Sequence, residues 1–177
     1  MKTLTDHLVQ YAEYHRDRRN IATHFIGIPM ILLAVTILLS RPALFVLPGF
    51  EVAVTPAWLA ALASLAFYLR LDLRFGIAMA VVLAVCIWLS QWLAAFSTGV
   101  WLSWGIGLFV VGWIIQFIGH AWEGRKPAFV DDLVGLLVGP LFVVAECAFA
   151  LGMRTEILHE IERRAGPARS GRAPSAA

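Results

Sequence analysis

The sequence predicts an all-α membrane protein: a polytopic helix bundle of four spanning helices, a broken fifth segment and an amphipathic N-terminal helix. Hydrophobic residues make up 60% of the 177 residues and charged residues 15%, against about 45 to 50% and about 25% in soluble domains. The apolar residues form runs close to the ~20 residues that cross a bilayer as a helix. A net charge of +2, with acids among the bases, argues against a nucleic-acid partner. The expected partner is the lipid bilayer.

The individual elements follow from the apolar runs and the breaks between them. Residues 1–20 are polar and amphipathic, which predicts a helix lying on the membrane or the bundle. The expected membrane segments are 21–40, 57–71, 75–96, 99–119 and 133–152. Prolines in 41–56 predict a loop, and the charged turn around Asp72 predicts a tight hairpin between the second and third segments. We expect one membrane domain over 1–164, in which 153–164 form an amphipathic helix, and a disordered tail over 165–177.

Basic residues predict how the segments are oriented, because short cytoplasmic connections are enriched in Lys and Arg. The basic residues on the predicted cytoplasmic side are Lys2, Arg16, Arg18, Arg19, Arg70, Arg74, Arg125 and Lys126. The opposite connections carry Arg41 with Glu51, and no charge at 97–99. A spanning fifth segment would export the Arg-rich tail. We therefore predict that it breaks at Gly139-Pro140 and re-enters, in a protein of the bacterial inner-membrane type whose N-terminus is cytoplasmic.

This orientation brings two distant groups of polar residues to the same membrane face. The residues are His15, Asn20 and His24 from the N-terminal part, and Gln116, His120 and Glu123 from the end of the fourth segment. Each amide precedes a histidine by four residues, so it can orient that ring from the same helix face. On one continuous helix His15 and His24 would lie about 180° and ~13 Å apart. If both reach one centre, the chain has to turn, and 17–20 is the expected place.

Neutral imidazoles with a carboxylate are suitable ligands for a transition metal. Two or three histidines, one carboxylate and open positions are typical of non-haem Fe(II) oxygen chemistry. The alternative is that these histidines are solvated or hydrogen-bonded structural residues. The carboxylate stays open among Glu123, Glu146, which lies inside an apolar run, and Asp72, which a turn role already explains.

Two motifs resemble those of the DUF962 family, which includes a fungal 2-hydroxy fatty acid dioxygenase of phytosphingosine degradation. The first motif is Tyr14-His15-x4-Asn20-x3-His24-x2-Gly27-x-Pro29, and the second is Gly112-Trp113-x2-Gln116-Phe117-x-Gly119-His120, followed by Glu123 and Pro127-Ala128. The resemblance covers roughly residues 11–152. The glutamate follows the histidine by three residues here and by four in the fungal pattern, which turns it by about 100° on a helix.

The resemblance implies an Fe(II)-dependent dioxygenase that uses O2 to shorten a 2-hydroxy fatty acid by one carbon. By this likeness His15, His24 and His120 are the metal ligands, whereas Asn20, Gln116 and Glu123 are catalytic residues beside them. A fatty acid could keep its chain in the bilayer while its carboxylate and 2-hydroxyl reach the metal at the cytoplasmic edge.

Two other function classes are alternatives to this enzyme. A non-catalytic scaffold or small transporter would place polar groups near the bilayer midplane, where the sequence offers little besides Gln91 and Glu146. A membrane lipid hydrolase or transferase would need a nucleophile, but no GxSxG motif occurs. A bound metal distinguishes the oxygenase from both.

Overall fold

The computed structural model describes residues 2–49 and 52–170, which form seven α-helices, one 3₁₀ turn and a two-stranded antiparallel hairpin. The helices are α1 (Leu4–Ala12), α2 (Arg18–Leu39), α3 (Pro56–Leu71), α4 (Leu73–Ala94), α5 (Thr98–Glu123), α6 (Gly135–Ala150) and α7 (Thr155–Ala165). The strands are β1 (Phe45–Leu47) and β2 (Val52–Val54). The predicted all-α class is confirmed.

The chain divides into two compact units. One is formed by Met1–Ile28 with Trp113–Ala177, and the other by Pro29–Gly112. In the first unit, α1 packs against α6 and α7. Thr3 caps α1 by accepting a hydrogen bond from the amide of Asp6. The carboxylate of Asp6 also pairs with Arg164 of α7, at 2.9 Å. The single domain expected over residues 1–164 stays a prediction.

The second unit holds the hairpin and the helix pair α3–α4. Phe45 pairs with Val54 across the hairpin, inside the segment predicted to be a loop. Glu51 lies outside the described residues. Asp72 separates α3 from α4 and caps α4, because its carboxylate accepts a hydrogen bond from the amide of Phe75 at 3.0 Å. This is the turn role expected for Asp72.

Three of the described helices are long and apolar enough to cross a membrane: α2, α4 and α5, with 22, 22 and 26 residues. The bent pair α6–α7 raises the number to four if it counts as one span. The remaining apolar helix, α3, has 16 residues. The chain is therefore an integral membrane protein with three to four apolar spans.

The predicted break at Gly139-Pro140 is wrong, because α6 continues through Pro140 without interruption. A proline removes a single N–H donor, and neighbouring helices can compensate for it in a membrane. Gly139 serves packing instead, since a Cβ there would lie 3.0 Å from the Tyr11 hydroxyl. The chain bends further on, by 115° between α6 and α7. Gly152 and Arg154 lie in that connection with φ of 72° and 54°, in the left-handed region that ends helices.

Both ends of the chain differ from the expected boundaries. The N-terminal helix ends at Ala12 instead of residue 20, and the turn between α1 and α2 comprises residues 13–17, earlier than the predicted 17–20. At the other end, residues 166–170 follow α7, and Arg169 forms a parallel β-bridge with Asp17. This ordered stretch lies within the tail that was expected to be disordered. Residues 171–177 lie outside the described part.

Candidate metal centre

The three predicted histidines lie side by side, although they come from three different elements of the chain. His15 lies in the turn between α1 and α2, His24 lies in the second turn of α2, and His120 lies in the last turn of α5. Their exposed fractions are 1%, 2% and 6%. The ring centroid of His15 is 4.3 Å from that of His24 and 4.9 Å from that of His120. One ring nitrogen from each lies within 4.8 Å of the others, so the group could hold a metal ion.

Local hydrogen bonds determine which nitrogen of two of the rings carries the proton. His15 Nδ1 is 2.6 Å from the carbonyl oxygen of Tyr11, and His24 Nδ1 is 2.8 Å from that of Asn20. A carbonyl oxygen only accepts, so Nδ1 must donate, and Nε2 keeps the lone pair in the neutral ring. His24 is thus oriented by the backbone of Asn20, whereas the sequence had suggested its side-chain amide.

Unpartnered buried atoms show that the donor set is suitable for a metal ion. His15 Nε2 and His120 Nδ1 have no hydrogen-bond partner among the described residues, and the amide oxygens of Asn20 and Gln116 have none either. Such buried atoms are rare and cost free energy when they stay unsatisfied. Burial, followed by the two neighbouring imidazoles, lowers the pKa of His15 well below its ordinary value. His15 is therefore held in the neutral form that binds metals.

Two aromatic side chains form a wall beside the cluster. The Tyr11 ring stacks on His15 with the centroids 4.1 Å apart and the planes at 10°. Phe142 of α6 lies 5.8 Å from the same imidazole. These contacts restrict the rotation of His15 and keep water from that side of it. Tyr11 is not among the site residues that the sequence predicts, although its i, i+4 spacing from His15 was an available signal.

Glu123 binds the turn that precedes α2, and its side chain is 1% exposed. Its Oε2 accepts hydrogen bonds from the amides of Arg16 at 3.0 Å and Asp17 at 2.7 Å, and from Asn20 Nδ2 at 3.2 Å. Its Oε1 accepts one from the guanidinium of Arg169 at 2.8 Å. A carboxylate offers about four lone-pair sites, two on each oxygen. Three of the four donors share Oε2, and Oε1 accepts the fourth.

The group that could hold a metal consists of histidines, and none of the carboxylates left open by the sequence belongs to it. Arg169 was missed because it lies in a tail of Gly, Pro, Ser and Arg that shows no periodic pattern. Its β-bridge to Asp17 joins residues 152 positions apart, from 17 to 169, and a single sequence gives no signal for such a contact.

Gly119 allows α5 to approach α2 closely at the centre. A Cβ at this position would lie 2.1 Å from Thr23 Oγ1 and 2.5 Å from Asn20 Oδ1. Real Cβ atoms do not come this close, so only glycine is accommodated without movement. This close approach brings His120, the next residue, to the other two histidines.

The chain is similar to a known protein family and to a curated protein. Residues 1–151 match the family described as 2-hydroxy-palmitic acid dioxygenase Mpo1-like. The chain is 32% identical over 158 residues to the 2-hydroxy-palmitic acid dioxygenase MPO1 of Saccharomyces cerevisiae, with 86% of each protein covered. No solved structure matches the chain.

Replacement of Gly119 by alanine is expected to separate the ends of α2 and α5. Overpacking of this kind costs about 1 to 3 kcal/mol, and it moves His120 away from the other two histidines. We expect a lower melting temperature in detergent and weaker Co(II) binding, measured by absorption titration.

Gly107→Ala is the matched control, because it lies in the same helix and a Cβ there meets no atom within 4 Å. The packing argument is contradicted if the Gly119→Ala protein melts and binds Co(II) like the Gly107→Ala protein.

Proposed function

The chain belongs to the Mpo1-like family, and on this premise we propose that it is an Fe(II)-dependent membrane dioxygenase that shortens 2-hydroxy fatty acids by one carbon. The observation that carries the proposal is the buried cluster of His15, His24 and His120, two of which keep a lone pair on Nε2. Family membership suggests the substrate class, and the cluster supplies the ligands that such an enzyme needs.

The donor set supports iron as the metal. Neutral imidazoles are suitable ligands for divalent iron, and three of them leave coordination positions open for other ligands. Bound at this cluster, Fe(II) would supply the redox chemistry between O2 and the substrate. The protein residues hold the rings: the carbonyls of Tyr11 and Asn20 keep two of them in the ligating tautomer.

The overall reaction balances without a further reductant. Carbon 2 of the substrate is oxidised from an alcohol to a carboxylic acid, and carbon 1 leaves as CO2, which together release four electrons. One O2 takes up these four electrons. The atoms of the substrate and of O2 are together accounted for by the shortened acid, one CO2 and one water. A site with metal ligands and a place for one substrate therefore suffices.

We propose that the amide side chains of Gln116 and Asn20 contact the polar end of the substrate. The buried amide oxygen of Gln116 has no partner among the described residues, and we assign it to accept a hydrogen bond from the 2-hydroxyl group. Asn20 donates to Glu123 and to the carbonyl of Tyr14, while its own amide oxygen is unpartnered. The aromatic wall of Tyr11 and Phe142 keeps water from the imidazole of His15.

The position of the cluster is suitable for a lipid substrate. His24 lies near the first residue of α2 and His120 near the last residue of α5, so both lie close to the ends of membrane-spanning helices. At this depth the acyl chain can remain in the bilayer while the carboxylate reaches the metal. Basic residues flank both ends, which indicates the cytoplasmic face of an inner membrane.

We also propose that α2 to α5 all span the membrane and that the α6–α7 pair re-enters on the cytoplasmic side. Contacts between the two ends of the chain support this topology. Arg164 pairs with Asp6, and Arg169 pairs along the backbone with Asp17, so the C-terminal segment lies on the side of the N-terminal one. The helix α3, about 24 Å long, would require local thinning of the bilayer.

A tag after residue 177 is expected to be accessible from the cytoplasmic side only. The measurement is protease or thiol-reagent access in intact and in opened cells, with a tag at residue 1 as the matched control. Access to the C-terminal tag from outside intact cells would contradict the proposed topology.

Purified protein reconstituted without oxygen is expected to bind near-stoichiometric iron, and His24→Ala and His120→Ala are expected to lose it. Each substitution removes one of three ligands, which leaves too few donors for tight binding. His159→Ala on the exposed face of α7 is the control and should retain the metal. Wild-type protein that binds no metal would overturn the oxygenase proposal and leave the histidines structural.

The protein with iron is expected to convert 2-hydroxyhexadecanoic acid and O2 to pentadecanoic acid, with one CO2 released per O2 consumed. Hexadecanoic acid, which lacks the 2-hydroxyl, should not react. We expect Gln116→Ala to raise KM more than it lowers kcat, since it removes a substrate hydrogen bond. Mass spectrometry of the acids and an oxygen electrode give the stoichiometry, and equal turnover of both acids would contradict the assignment.

A further inference from the structure

The C-terminal segment 166–170 is hydrogen-bonded along the turn that carries His15. The amide of Arg18 donates to the carbonyl oxygen of Arg169 at 2.9 Å. The amide of Arg169 donates in turn to the carbonyl oxygen of Arg16 at 2.7 Å. The guanidinium of Arg16 donates to the carbonyl of Gly166 at 2.8 Å. The two segments therefore form a short two-stranded contact in which both backbones take part.

A buried ion pair strengthens this contact. Arg169 lies 2.8 Å from the carboxylate of Glu123, and the side chains are 35% and 1% exposed. Removing a carboxylate from water is unfavourable unless a cation or several donors compensate it. The guanidinium of Arg16 is directed to carbonyl oxygens, and that of Arg19 to Asp17. Arg169 is therefore the cation that contacts Glu123 within the described residues.

The same carboxylate fixes the residues that follow His15. Glu123 Oε2 accepts the amides of Arg16 and Asp17, which are the two peptide units directly after the histidine. Their position determines the path of the turn, and the turn determines where His15 presents its Nε2 atom. A continuous series of contacts thus runs from Arg169 through Glu123 to His15.

We propose that Arg169 and Glu123 form a latch that positions His15, so that the metal centre is complete only when the C-terminal segment is in place. The proposal rests on the proposed function of the histidine cluster as a metal centre. Both latch residues act through the turn and are positioning residues, not ligands. Glu123 accepts four hydrogen bonds from the turn, Asn20 and Arg169, and it does not belong to the histidine group that could hold a metal.

Arg169→Gln in the full chain tests the latch, with Arg163→Gln as the matched control. Arg163 lies in α7 and also pairs with a glutamate, Glu160, but at an exposed position. We expect Arg169→Gln to weaken Co(II) and Fe(II) binding roughly 10- to 100-fold, as for other losses of support around a metal ligand. Arg163→Gln should bind like the wild type, and Arg169→Lys should recover much of the affinity because it restores the charge.

Amide hydrogen exchange in the metal-free protein gives an independent measurement. The amides of Arg16 and Asp17 should exchange faster in Arg169→Gln than in Arg163→Gln, whereas those of α4 should be unchanged. A general loss of stability would instead raise exchange in α4 as well, and that result would overturn the latch. Equal metal affinity and equal exchange in the Arg169→Gln and Arg163→Gln proteins would overturn it too.

Two further outcomes separate this proposal from the proposed function. If wild-type protein binds no metal, the oxygenase proposal fails, and exchange at Arg16 and Asp17 still decides whether the latch exists. If Arg169→Gln does not fold, the double variant Glu123→Gln/Arg169→Gln removes the uncompensated buried charge. If the amide exchange and the metal affinity of this double variant equal those of the Arg163→Gln protein, the proposal is contradicted.

Discussion

The candidate site depends on the hydrogen bonds of the Glu123 carboxylate, because they join segments that are far apart in the sequence. It lies at the end of α5 and accepts hydrogen bonds from the turn before α2 and from the C-terminal segment. In a chain with so few charged residues, a buried carboxylate has to collect donors, and peptide amides are the donors at hand. The requirement to satisfy one charge thereby folds the turn beside His15 and brings this residue to His120.

Much of the fold follows from physical rules that act along the sequence. Apolar runs predict the helices because a bilayer admits few other structures, and the ends of α2 to α5 lie within a few residues of those expected. The course of α6 could not be predicted in this way. Pro140 breaks a helix in water, but its effect depends on neighbours in the folded protein, and the bend instead follows the backbone conformation at Gly152 and Arg154.

The site was partly accessible from the sequence. The predicted alternation of helices places His15 and His24 at the same membrane face as His120, and that inference requires no knowledge of side-chain packing. The hydrogen bonds around them were not accessible, since the spacing of Asn20 and His24 does not reveal whether an amide or a carbonyl is the partner. Arg169 was out of reach for a different reason: its partners depend on a long-range contact of an irregular segment.

The local hydrogen bonds of the first two histidines also have a consequence for biosynthesis. His15 and His24 each bond to a carbonyl four residues earlier, so their rings can be aimed as soon as this part of the chain has left the ribosome. The third histidine of the cluster, His120, is translated only after α3 and α4. Two of the three histidines can thus take their orientation before the third is synthesised. The cluster is complete only when the end of α5 and the C-terminal segment, which both contact the turn, have folded against it.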